Sequence, residues 1–246
     1  MKTKAYFFLT VFFMISNVLQ AQLFDKIKNK IEDKASEVVE EGLNSGKKDR
    51  KQKSKSGRIQ LENTINFYPG DSIIYVSNFS RGEVGSMPGD WKTTGSGSVV
   101  PVNQIGGNWL KMSERTTYKL NHSIYYPDDF TIEFDLLVAA DKVDDLSSLY
   151  FGFTKDNSLT RWISSNTIWS AQLQYMNNND IVVSSSSADI YQASNFDLET
   201  YANQVMHVAI EVHKDQVKIF LDDDKIADTK LFNGEKAKHN LIGISL

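Results

Sequence analysis

Hydrophobic and polar positions alternate most regularly in the last third of the chain. Met206, Val208, Ile210 and Val212 interleave with Val205, His207, Ala209, Glu211 and His213, a period of two that sends one set to a core and the other to solvent or a second sheet. Runs at 216–221 and 225–231 follow, with the acidic turn Asp222, Asp223 and Asp224 before the second, so this region predicts a β-meander. Upstream, from Thr64, the pattern predicts strands at 72–79, 97–105, 107–113, 116–122, 129–139, 147–154, 167–176 and 179–186; strands at 204–213 and 240–246 begin and follow the meander. Gly, Asn, Asp and Ser punctuate the gaps. That spacing predicts an all-β, antiparallel sandwich or jelly roll, and no internal repeat is present.

Before residue 64 the pattern changes. Lys2 and Lys4 precede an apolar run at 5–15 and a short polar stretch ending in Ala21. Charge, apolar run and small residue, in that order, predict a secretory signal peptide over 1–21, cleaved after Ala21; the run is shorter than the roughly 20 residues of a membrane span. In 22–46, Leu23, Phe24, Ile27, Ile31, Ala35, Val38 and Val39 recur at three- and four-residue intervals among charged positions, predicting an amphipathic helix ending near Gly42. Such a helix is marginal alone in water. Its stripe is expected to dock on the sandwich, to self-associate through 23–43, or to lie on a membrane surface. Residues 47–63 read as a basic flexible linker, since 47–58 carry seven basic residues, one acidic one and nothing apolar. The sandwich is then expected over 64–246.

Charge sharpens this division. The net charge of −4 conceals 14 basic against 24 acidic residues from Ile59 onward, which excludes the sandwich as a nucleic-acid binder, because phosphate recognition needs clustered cations. The chain has no cysteine, hence no disulfide and no lipid anchor on a terminal cysteine. An exported domain of this size needs no disulfide to hold its core.

Three segments carry a family resemblance. They are Asn78-Phe79-Ser80-Arg81-Gly82-Glu83-Val84-Gly85-Ser86-Met87-Pro88-Gly89-Asp90-Trp91, Phe130-Thr131-Ile132-Glu133-Phe134-Asp135-Leu136 and Gln216-Val217-Lys218-Ile219-Phe220-Leu221-Asp222. In that order, over about 64–246, they resemble the concanavalin A-like, laminin G-like jelly roll that precedes the peptidoglycan-binding domain in outer-membrane protein A-family proteins of Bacteroidetes-type bacteria. The resemblance implies an envelope location and a ligand-binding sandwich. No peptidoglycan-binding module follows Leu246, so that activity is not implied. The strand that follows 240–246 in such sandwiches is also missing, which leads to the expectation of a fragment of a longer protein.

Glu133 and Asp135 lie two apart and share one face of a strand, a spacing open to paired-carboxylate glycoside hydrolysis. Laminarinase-type hydrolases of the resembled fold follow Glu-x-Asp with a second Glu. Here Leu136, Leu137 and Val138 follow instead, so the pair is expected to be solvated or hydrogen-bonded carboxylates on an outward face. His122, His207, His213 and His239 are scattered, with no metal-chelating spacing and no nucleophile elbow. Calcium is compatible with Asp141, Asp144 and Asp145 or with the turn at Asp222, against the plainer role of solubilising a turn and an edge. Trp91, after a loop bearing Gly82, Gly85, Pro88 and Gly89, is expected to plug the core. Trp162, Trp169 and Tyr175, with the amide-rich turn Asn177, Asn178, Asn179 and Asp180, form the candidate glycan surface, where rings would stack on sugars and amides would bind hydroxyls; core packing is the competing role of the rings.

Together these readings predict an exported, non-enzymatic cell-envelope protein with a lectin-like sandwich for glycan or protein binding, in the periplasm, at the outer membrane or outside the cell. The alternatives are a glycoside hydrolase or lyase on the same fold, and a purely structural interaction domain.

Overall fold

The computed structural model describes residues 7–11, 67–159, 166–176, 180–236 and 238–244. The predicted helix at 22–46 and linker at 47–63 lie outside the described residues, as does the end of the predicted leader. In chain order the strands are β1 (Phe7–Val11), β2 (Trp91–Thr93), β3 (Gly97–Pro101), β4 (Asn108–Met112), β5 (Thr116–Leu120), β6 (Asp129–Ala139) and β7 (Leu149–Thr154). They continue as β8 (Thr167–Gln174), β9 (Asp180–Ser185), β10 (Ile190–Asn195), β11 (Val205–His213), β12 (Gln216–Leu221), β13 (Asp224–Lys230) and β14 (His239–Ile244). Two short 3-10 turns, Val143–Asp145 and Leu198–Tyr201, complete the regular structure.

The strands form two seven-stranded sheets. The first runs β13-β12-β11-β6-β1-β4-β3 and the second β10-β9-β8-β7-β14-β5-β2. Every ladder is antiparallel. The predicted meander is present: β11 pairs β6 over nine residues on one side and β12 on the other, and β12 pairs β13. Tight turns join these strands, with Lys214 (φ 55°) and Asp222 (φ 46°) in the left-handed region. The alternation read from sequence holds, since Met206, Val208, Ile210 and Val212 are at most 2% exposed while His207 and Glu211 are half-buried on the opposite face.

Each sheet presents one apolar face to the other. Leu136, Val138, Val217 and Ile219 from the first meet Phe151, Phe153, Leu173 and Val183 from the second. Phe153 is an aromatic hub, 5.5 Å from Trp169, 5.3 Å from Phe232 and 5.9 Å from Phe130 between ring centres. An apolar, partly open cleft of about 50 Å³, lined by Phe79, Trp91, Phe134, Phe151, Ile210 and Ile242 among others, lies between the sheets. Trp91 is half-buried beside Phe79, 6.3 Å between ring centres, and lines this cleft.

Three differences from the sequence pattern have physical causes. Residues 72–79 form no strand, because Ile73, Ile74 and Val76 are 60%, 55% and 42% exposed and pair with no neighbouring strand. β10 was not anticipated, since Ile190, Tyr191 and Ala193 alternate with no regular polar partner set and the strand lies at the sheet's outer edge, mostly exposed. Phe7–Val11, the centre of the predicted leader, forms β1 in the middle of the first sheet.

Candidate functional site

The sequence-predicted aromatic surface is not where it was expected. Trp169 and Tyr175 are 0% exposed. On β8, Trp169, Ala171 and Leu173 alternate with Ser170, Gln172 and Gln174, and the apolar set, continued by Tyr175, faces inward. Trp169 packs on Phe153 and Phe232, and burial pushes the Tyr175 hydroxyl far above its ordinary pKa. Neither ring is available for stacking on a ligand. Trp162, Asn177 and Asn179 lie outside the described residues. Asp180 alone of the predicted set is placed at a surface, half-buried at the start of β9, opposite Gln174 of β8 and Asn195 of β10.

That position belongs to a built surface, the outer face of the second sheet. Cross-strand pairing aligns Ser170, Ser184 and Tyr191 in one row. The next row holds Gln172, Val182 and Ala193, and the third holds Gln174, Asp180 and Asn195. From ladder and rise spacings, the three strands offer a platform about 10 Å wide and about 14 Å long. Tyr191 is 76% exposed at its edge. Gly152 continues the Tyr191 row on β7, leaving that end without a side chain. A Cβ there would lie 2.2 Å from the Trp169 carbonyl oxygen. The polar groups interact only loosely with one another: Ser170 and Ser184 hydroxyls are 3.5 Å apart, and the Gln174 amide donates to Gln172 at 3.4 Å. Among the described residues no ion pair involves them. The platform therefore combines an exposed ring with amides, hydroxyls and one carboxylate that retain capacity to bind hydroxyl groups.

The outer face of the first sheet is built in the opposite way, with charges paired across strands. The β6–β11 register sets Asp135 opposite His207 and Glu133 opposite Ala209. One ring nitrogen of His207 is 2.7 Å from Asp135 Oδ1 and the other 3.4 Å from Glu133 Oε2. The hydrogen bonds to Asp135 and Glu133 hold the imidazolium well above its ordinary value, to about 9, against the opposing effect of burial. The same face pairs His213 with Asp129 and Lys218 with Glu211, both at 2.7 Å. Asp222 is also engaged: its two oxygens accept the His207 backbone N–H, at 2.8 Å, and the Tyr201 hydroxyl. Glu133 and Asp135 do share an outward face, but a cation is clamped between them. Both carboxylates are thus engaged by the one imidazole ring.

Beneath one edge of the second sheet, Lys119 is 2% exposed, and its ammonium donates to Thr154 Oγ1 at 2.6 Å and the Asp156 carbonyl at 2.8 Å. Burial lowers its pKa from 10.5 to about 8. The contacts pin the start of the β7–β8 connection. Among the described residues no group of three His, Cys, Asp or Glu side chains converges as a metal site.

No protein-family model and no curated protein matches the chain. Among solved structures, it is similar to the carbohydrate-binding module CBM66 from Bacillus subtilis, at 14% identity over 66% of this chain and 98% of that one, with a TM-score of 0.41. It is similar to the VIP36 exoplasmic/lumenal domain in its Ca2+/Man-bound form, at 12% identity over 65% and 78% of the two chains, TM-score 0.45. A third is a glycoside hydrolase family 16 endo-glucanase from Bacteroides ovatus, at 10% identity over 69% and 84%, TM-score 0.46. The assignment to the antiparallel two-sheet sandwich class rests on the strand pairing itself.

Proposed function

We propose that the chain is a non-enzymatic, glycan-binding sandwich of an exported cell-envelope protein, with the outer face of β8, β9 and β10 as its binding surface. The observation that carries this reading is the contrast between the two outer faces. On the first sheet, charges are neutralised across strands; on the second, Tyr191 stands exposed beside Ser170, Ser184, Gln172, Gln174, Asp180 and Asn195 with little mutual bonding. A sugar ring presents an apolar face and a rim of hydroxyls, and this surface is complementary to both. The envelope placement rests on the leader-like N-terminus and on the resemblance of 64–246 to the sandwich that precedes peptidoglycan-binding domains. Hydrolysis through Glu133 and Asp135 is the weaker reading, because His207 occupies the space between the carboxylates that a glycosidic bond would need.

The test is retention on an immobilised panel of envelope and plant glycans by three proteins: wild type, Tyr191→Ala, and Glu133→Gln with Asp135→Asn. Binding by wild type and the double variant, with at least tenfold weaker binding by Tyr191→Ala at unchanged melting temperature, supports the proposal. Release of reducing ends that vanishes in the double variant would replace it with catalysis. No retention of any glycan would leave a purely structural module.

A further inference from the structure

Each sheet ends in two edge strands, and three of the four edges carry a device that blocks pairing with another chain. On the first sheet, β13 is charged along its length by Asp224, Lys225, Asp228 and Lys230, and its ladder with β12 shifts register at Ile219/Phe220. β3 ends in Pro101, and its outer backbone is already engaged: Gly85 N–H donates to the Val99 carbonyl and Val99 N–H to the Ser86 carbonyl, both at 2.8 Å. On the second sheet, β2 is three residues long and carries Lys92 at its centre. β10 has none of these devices. Ile190–Asn195 holds six residues with no charge, proline or glycine, pairs β9 without a register shift and has no strand on its far side. Tyr191, Gln192, Ala193 and Asn195 are exposed, and among the described residues no loop backbone bonds the outward N–H and C=O groups of 190–195. Acidic residues bracket the strand, Asp189 before it and Asp197 after it.

We propose that β10 pairs antiparallel with β10 of a second copy of this chain, joining the two second sheets across a two-fold axis. The edge is complementary to itself: its uncharged residues do not repel a copy, and its main-chain donors and acceptors meet their counterparts once the strand is turned round. A strand entering here needs a neutral hydrogen-bonding residue opposite Asp189, and β10 itself supplies Asn195. With the axis perpendicular to the sheet, both outer faces stay on one side and opposed residues share the same phase. Opposing Ala193 with its copy would set Asp189 against Asp197, and opposing Tyr191 with its copy would shorten the ladder. Opposing Gln192 with its copy does neither, and it pairs Tyr191 with Ala193, Ile190 with Ser194 and Asp189 with Asn195. The two outer faces then form one platform of six strands, about 24 Å across. The two Tyr191 residues stand diagonally at its centre, about 7–8 Å apart by Cα. The pairing stands on the edge alone; the merged platform rests on the glycan-binding proposal above and gives it a ligand class, extended or repeated glycans that touch both halves. Such a strand pair is small beside the roughly 800 Å² per partner of a standard interface, so the dimer is expected to dissociate on dilution.

Sedimentation velocity of the full chain across a dilution series tests the pairing. A monomer–dimer equilibrium is expected. Gln192→Lys sets two ammonium groups face to face at the axis and is expected to raise the dissociation constant at least tenfold, with the melting temperature of the dilute monomer unchanged. The chain lacks cysteine, so single replacements read the register: Gln192→Cys is expected to form a disulfide-linked dimer at least tenfold faster than Ala193→Cys, because residue 192 alone meets its own copy. A monomer at every concentration, a dimer indifferent to Gln192→Lys, or equal crosslinking at 192 and 193 would each overturn the proposal. On an immobilised polymeric glycan from the panel, wild type is expected to bind at least tenfold more tightly than Gln192→Lys, and equal binding would overturn the merged platform. Retention of glycan by a protein that stays monomeric strikes the pairing and leaves the glycan-binding face. A dimer linked through residue 192 that retains no glycan strikes the glycan-binding face and leaves the pairing.

Discussion

Replacing Trp169 with alanine separates a core tryptophan from a ligand platform. The side chain is fully buried on the inner face of β8, with its ring 5.5 Å from Phe153 and 6.0 Å from Phe232. A buried tryptophan removes about 200–250 Å² from water, so at about 25 cal/mol per Å² the transfer contribution alone reaches roughly 5 kcal/mol. Measured truncations of buried large aromatics cluster at about 3–5 kcal/mol, and that is the loss expected for Trp169→Ala. Against a typical total of about 5–15 kcal/mol, the variant sits near the edge of folding. Trp169→Phe keeps a six-membered ring against Phe153 and is expected to lose about 1–2 kcal/mol. Urea unfolding followed by far-ultraviolet circular dichroism measures both. A loss below about 1 kcal/mol for Trp169→Ala, with cooperative unfolding intact, would refute the inward assignment of this face of β8.

Gly152→Ala is expected to destabilise by at least about 2 kcal/mol in the same assay, because the added methyl meets the Trp169 carbonyl oxygen at 2.2 Å and β7 and β8 must part to admit it. His207, raised from 6.5 to about 9, contributes stability that is complete below pH 6.5 and lost as pH rises through about 9. Since its side chain is 41% exposed, solvent screening reduces the effect to about 1 kcal/mol, and His207→Gln should abolish that decline. Lys119 has the opposite sign: with its pKa lowered from 10.5 to about 8, the folded state sheds its proton first. Stability therefore rises between pH 8 and 10.5, by about 2 kcal/mol, and Lys119→Met should flatten the rise. Denaturation midpoints of the two single variants from pH 6 to 10.5 separate contributions that partly cancel in the wild type.

Much of the sandwich was legible because its strands are local and half-buried. Alternation at 205–213 marks an inward set that the structure places at the core, and the same rule applied to 169–175 puts Trp169 and Tyr175 inward with Ser170, Gln172 and Gln174 outward. The aromatic patch was misassigned by grouping rings by proximity in sequence instead of by phase. Tyr191 escaped notice for another reason: an edge strand facing solvent on one flank needs no apolar pattern, so residues 190–195 carry no periodic signal. The clamp of His207 between Glu133 and Asp135 joins residues more than 70 positions apart, through a β6–β11 register that no local pattern encodes. The central position of Phe7–Val11 in the first sheet was hidden because an apolar run that reads as a leader also suits a central strand.

Glycan binding is proposed at the outer face of β8, β9 and β10. Backbone amide chemical shifts of the labelled protein, followed while a glycan retained on the panel is titrated, test it most directly. Saturable shifts are expected at 170–174, 180–184 and 191–195, with Glu133, Asp135 and His207 unmoved. Shifts concentrated at 133–135 and 207–211, with the β8–β10 amides silent, would contradict it and place the ligand on the acidic face of the first sheet.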